Sequence, residues 1–236
     1  MIDEKLKGSI IQEINAARRG GYRYKELLKY KPNHENKHEM VFFIKPEITG
    51  PKADVDIYGI LGIISDVFDK FNVSIDGVTL LGADYLKEKD IIAEHYCVIN
   101  RLARHGVKEF SQQAVEKFED VFKVTVTKAD VLGGFQFLER YDFFNPKSLE
   151  VLWDNVGNIK LASGTYCNKF KVFNDIVYIV NGFHPNQLNH YIGPGKSIVV
   201  MVISSYIDWK SLREDMVGAT DPKKAHNGSI RRTCLL

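Results

Sequence analysis

Apolar residues recur at helical spacing through residues 3–18, at Leu6, Ile10, Ile11, Ile14 and Ala17, predicting an amphipathic helix stopped by Gly20-Gly21. Residues 29–39 (KYKPNHENKHE) are polar and contain Pro32, the pattern of a linker. Met40-Val41-Phe42-Phe43-Ile44 then forms a short apolar run closed by Lys45-Pro46. It predicts a buried strand that presents a lysine at its C-terminal end. Between Val55 and Phe71 the spacing is helical again, with Ile57, Ile60, Leu61, Ile64, Val67 and Phe68 on one side. Val73–Leu81 is rich in β-formers, and residues 84–104 predict a second long helix.

Further along, residues 107–121 predict a helix, while 124–126 and 176–180 predict strands. Ser197–Ser204 (SIVVMVIS) carries the clearest strand pattern in the chain. Ile207–Val217 follows as a helix, and residues 219–236 form a tail rich in turn residues. This order predicts an α+β fold, a sheet covered by helices on one side.

Composition narrows the class. The 236 residues hold 32 basic and 30 acidic side chains, a formal charge of +2, and 44% hydrophobic residues. Folding such a chain buries roughly 70% of its unfolded surface without metal or disulfide staples. The near-neutral balance speaks against a dedicated nucleic-acid surface. Cys97, Cys167 and Cys234 are too widely spread for a disulfide framework or a CxxC knuckle. No apolar run approaches the ~18 residues that span a bilayer, and the N-terminus lacks a secretory h-region. A cytoplasmic protein that does not engage a membrane is expected.

Charge is concentrated at one end. Residues 222–236 contain Lys223, Lys224, Arg231 and Arg232 and no acidic residue, just after Gly218-Ala219-Thr220-Asp221-Pro222. Arginine forks, a threonine hydroxyl and turn amides suit phosphate; a solvated basic tail is the alternative. Gly193-Pro194-Gly195-Lys196-Ser197 ends like a phosphate-binding loop, but His190 stands where that motif needs glycine, and a strand follows rather than a helix. It is expected to be a tight turn. None of the seven histidines has metal-ligand spacing, and His95-Tyr96-Cys97 is expected to be a partly buried helical pair.

Four segments, in order, resemble nucleoside diphosphate kinases: Phe42-Phe43-Ile44-Lys45-Pro46-Glu47; Glu94-His95-Tyr96; Phe183-His184-Pro185 with Leu188 and Tyr191, running into Gly193-Pro194 and the strand at 198–203; and Met216-Val217-Gly218-Ala219-Thr220-Asp221-Pro222 followed by Asn227-Gly228-Ser229-Ile230-Arg231. The Thr220-to-Arg231 spacing is the most specific of these. The resemblance implies a ferredoxin-like sandwich over 39–104 and 181–236, preceded by a helical extension and linker (1–38) and interrupted by an inserted α+β subdomain (105–180). It implies that Lys45 and Tyr96 sit beside the transferred phosphoryl group. Thr220 and Arg231 would hold nucleotide phosphates, and Phe183 and Leu188 would clamp the base. ATP and other nucleoside di- and triphosphates would be the partners, Mg²⁺ would arrive with them, and the protein would be a homo-oligomer.

The departures are specific. Family members pass phosphate through a histidine about a dozen residues beyond the arginine that Arg231 matches, whereas this sequence ends five residues after it. The resemblance therefore implies a kinase whose phosphohistidine lies beyond Leu236; the alternative is an inactive nucleotide-binding relative that serves as sensor, scaffold or interaction module. Glu214 stands where a phosphate-binding arginine is expected, with Arg213 one position away, and Glu47 replaces an aspartate. The interrupting segment is rich in aromatics, among them Phe118, Phe137, Tyr141 and Trp153, which need a core or a partner.

Overall fold

The computed structural model describes residues 2–35 and 38–234, an α+β protein in two compact units. The first unit runs to Glu88 and resumes at Tyr191; the second is Lys89–His190. Eight strands are present among the described residues: β1 (Tyr24–Leu28), β2 (His38–Ile44), β3 (Ser74–Gly82), β4 (Val131–Gly133), β5 (Ile159–Ala162), β6 (Thr165–Val172), β7 (Asp175–Val180) and β8 (Ser197–Ser205). They form two four-stranded sheets, ordered β1-β3-β8-β2 and β4-β7-β6-β5. Of the expectations above, those on Met1, Asn36, Lys37 and residues 235–236 lie outside the described residues.

In the first unit, β2 and β3 each pair antiparallel with β8, which fills the gap between them. The helix α3 (Ile57–Lys70) links β2 to β3 after the single-turn helix α2 (Pro46–Thr49), completing a split β-α-β unit. Asp56 caps α3 by accepting from Gly59 N at 3.0 Å. Alternate residues of the strands (Ile44, Val78, Leu80, Val199, Met201, Ile203) join Ile60, Leu61, Ile64 and Phe68 of α3 in one core. Each such side chain contributes about 1.5–3 kcal/mol on burial. Phe42 meets Phe68 edge to face, centroids 5.2 Å apart.

The N-terminal segment is more than an extension. Helix α1 (Glu4–Ala17) buries Ile10 and Ile14 completely in that same core, and β1 adds a fourth strand on β3. No linker spans 29–39 as a whole, because β2 already begins at His38. Gly20 and Gly21, both at positive φ, end the α1 segment as expected. The GKS segment is the expected turn: Gly195 sits at φ +71° and β8 starts at Ser197.

The long helix expected over 84–104 is instead three short ones: α4 (Ala83–Glu88), α5 (Ile91–His95) and α6 (Cys97–His105). Asp90 at φ +50° breaks the first junction, a left-handed conformation that Asp tolerates better than most residues. Tyr96, at φ −99° and ψ 34°, breaks the second. The chain passes from one unit to the other at the first break, so the second unit is wider than the expected 105–180 insertion.

The second unit continues with α7 (Gln112–Phe122), α8 (Gly134–Arg140), α9 (Pro146–Asp154) and α10 (His184–Ile192). Strand β7 is buried on both faces. Val177 and Ile179 face a core with Phe137, Leu149, Trp153 and Phe170; Tyr178 and Val180 face another with Leu102, Phe118 and Cys167. The aromatics of this segment thus largely find a core within their own unit. No strand forms at 124–126, where Val126 N–H donates to Glu119 Oε1 at 3.0 Å and opens a 3-10 turn. At the end of β7, buried Asn181 donates to the carbonyls of Ile99 and Gly164 and accepts from Tyr166 N.

Candidate phosphate site of the first unit

The end of β2 is set by Lys45-Pro46. A residue before proline prefers extended backbone, and Lys45 adopts φ −83°, ψ 166° as the cap of α2. Its carbonyl accepts from Ile48 N at 3.0 Å and Thr49 N at 3.3 Å, while Pro46 occupies the first turn, where no N–H is needed. The backbone is pinned and the half-buried lysine side chain lines a cavity of about 560 Å³.

A second part of the lining follows β8. Asp208 accepts from Lys210 N (3.0 Å), Ser211 N (3.1 Å) and the Ser211 hydroxyl (2.8 Å), which hold its carboxyl below the usual carboxylate range. One turn, Trp209–Ser211, leads into a π-helix, Leu212–Val217, in place of the single α-helix expected over 207–217. A π-turn closes i→i+5 bonds, as Gly218 N makes to Arg213 O at 3.2 Å. Arg213 and Glu214 are both exposed, and of the two Arg213 lines the cavity.

A third part is the segment from Gly218 to Arg231. Gly218 sits at φ +94°, and a Cβ there would fall 2.6 Å from Ser229 Oγ. Its carbonyl accepts from Arg231 Nη1 at 2.9 Å, and Arg232 Nη1 donates to Lys223 O at 3.1 Å. Asp221 caps the turn Pro222–Lys224, and Ser229 caps the short helix Ile230–Thr233. The basic segment is therefore not merely solvated; its two arginines fasten a loop. Thr220 and Arg231 both line the cavity.

Lys45, Arg213, Thr220 and Arg231 thus line one cavity, together with Glu47 and the apolar Ile60, Ile64, Leu212, Met216 and Ile230. Tyr96, Phe183 and Leu188 lie in the second unit. Tyr96 is half-buried with its ring edge-on to the exposed His95, centroids 4.7 Å apart, but it stands at the break between α5 and α6 rather than within a helix as expected. Phe183 packs on Trp153 (5.8 Å) and Tyr166 (6.0 Å), and Leu188 is half-buried in α10. Trp209, 57% exposed at the cavity wall, was not singled out by sequence, although it stands one helical turn before Arg213. Among the described residues, no group of three or more His, Cys, Asp or Glu side chains is placed to hold a metal ion, and no helix is long and apolar enough to cross a membrane.

No protein-family model, no curated protein and no solved structure matches this chain.

Proposed function

We propose that the first unit binds the phosphates of a nucleoside di- or triphosphate, as part of a nucleoside-diphosphate-kinase-like protein that transfers a γ-phosphoryl group between nucleotides. The observation that carries this reading is the convergence of Lys45, Arg213, Thr220 and Arg231, drawn from distant parts of the sequence, on one cavity. Three cations and a hydroxyl suit phosphate oxygens, and phosphoryl transfer depends chiefly on positioning and on neutralising their charge. Glu47 is the one carboxylate lining the cavity among the described residues, too little for a protein cage around Mg²⁺. Mg²⁺ would therefore come with ATP or ADP, held by phosphate and water, and would supply further neutralisation.

The alternative reading is a nucleotide-binding sensor or scaffold that does not phosphorylate itself. Calorimetry with MgADP, followed by incubation with γ-³²P-ATP, separates the two. Binding with an acid-labile label supports the kinase; binding without label supports the sensor; absence of binding overturns both. A homo-oligomeric state and a cytoplasmic location belong to the same proposal, the former checked by sedimentation.

A further inference from the structure

Trp209 lines the same cavity as Lys45, Arg213, Thr220 and Arg231, and it is 57% exposed. A lone apolar residue at a surface needs no explanation in itself. A tryptophan that shares a cavity with three cations is a different matter. Its flat π-face complements a nucleobase as the cations complement phosphate oxygens.

The chain fixes where this indole stands. Asp208, which accepts from Lys210 N, Ser211 N and the Ser211 hydroxyl, caps the turn that begins at Trp209. Leu212 N–H donates to Asp208 O at 3.1 Å, so the turn is α-helical as far as that residue. Residues four apart on such a turn are neighbours on one face, and Trp209 and Arg213 both line the cavity. The cavity, about 560 Å³, has the size that takes a whole small molecule, and Ile60, Ile64 and Met216 add apolar lining beyond the cations. A phosphate chain alone leaves that apolar part unused.

We propose that Trp209 is the platform on which the base of the bound nucleotide stacks, one helical turn before the arginine that meets its phosphates. This rests on the phosphate site proposed above and assigns the other end of the same ligand. Phe183 and Leu188, to which the resemblance gives that role, belong to the second unit, where Phe183 packs on Trp153 and Tyr166. Stacking on an aromatic side chain raises the affinity for a base by roughly fivefold to a hundredfold.

The chain has two tryptophans, and Trp153 is 1% exposed in a core of the second unit, so intrinsic fluorescence can report on Trp209. MgADP should change the fluorescence of the full chain over the concentrations at which calorimetry shows it binding, and the change should vanish in Trp209→Phe. Magnesium pyrophosphate, which has no base, should bind without that change. Trp209→Ala should weaken MgADP at least fivefold and pyrophosphate less than twofold. Trp209→Phe, which keeps a ring, should stay within about threefold of the wild type for both ligands. Binding of MgADP without a Trp209 signal, or equal losses for MgADP and pyrophosphate in Trp209→Ala, overturns the stacking role and leaves the phosphate site standing. If neither ligand binds the wild type, the phosphate site itself fails and the stacking role falls with it.

Discussion

Arg231 reaches back thirteen residues to donate from Nη1 to the carbonyl of Gly218 at 2.9 Å. One guanidinium therefore fastens the loop that carries Thr220 and lines the cavity beside it. Arg231→Ala removes both functions. If the cavity binds phosphates, MgADP affinity should fall by about 1.5–3 kcal/mol, the range for a charged hydrogen bond, as read by calorimetry. Unchanged affinity would sink the proposed site.

Gly218 is the other half of that relationship. A side chain at φ +94° is strained in itself, and its Cβ would meet Ser229 Oγ at 2.6 Å and Ala225 Cβ at 2.9 Å. Gly218→Ala should cost about 1–3 kcal/mol of stability in urea unfolding. Gly62→Ala is the control: its Cβ meets nothing within 4 Å and it lies inside helix α3. That change should be neutral or stabilising by up to about 1 kcal/mol.

His184 gives the second unit a dependence on acid. Its ring nitrogens contact Gln187 Oε1 at 2.9 Å and Asn100 Oδ1 at 3.2 Å. Burial, with Arg104 nearby, pushes its pKa below the ordinary value despite the bond to Gln187. The unfolded chain therefore takes up the proton first as pH falls. Stability from this group is complete above an unfolded histidine pKa of about 6.5 and is lost on acidification below it. The drop in Tm between pH 7.5 and pH 5.5 should be smaller in His184→Gln than in the wild type. An equal drop would refute the assignment to His184.

The three thiols should separate by reactivity. Cys97 is exposed, while burial pushes the Cys167 thiol well up and the Cys234 thiol up to a lesser degree. Thiolate is the reacting form, so Ellman's reagent should modify Cys97 first and leave Cys167 untouched until the chain unfolds. Labelling of Cys167 in the native protein would mean that the β6–β7 core opens readily.

Elements whose burial is one-sided or complete were legible in the sequence. Helix α3 shows its stripe because one side faces a core, and β8 shows a continuous apolar run because it is the inner strand between β2 and β3. β1 was not legible, since its exposed YKELL lacks alternation. Asp90 breaks a helix by adopting a left-handed conformation, which apolar spacing does not register. In the site, Lys45, Thr220 and Arg231 could be chosen by motif and spacing. Arg213 could be named as the neighbour of Glu214, but the π-helix on which both lie leaves no mark in the pattern of apolar positions. Trp209 carried no motif at all. The unit boundary at 89 falls inside a segment that reads as one continuous helix, and the one at 190 falls inside α10, which apolar spacing does not mark.

The insertion of Lys89–His190 between β3 and β8 has a consequence for biogenesis. β8 is the strand that joins β2 to β3, so those two strands have no sheet partner between them until residues 197–205 are made. About 120 residues separate the end of β3 from the end of β8. At roughly 5–20 residues per second, the ribosome takes about 6–25 s to deliver them. The contiguous second unit is complete first, while the apolar β2 run waits exposed. Trigger-factor-like holdases that shield nascent apolar strands should therefore raise the soluble yield of the whole chain more than that of its second unit.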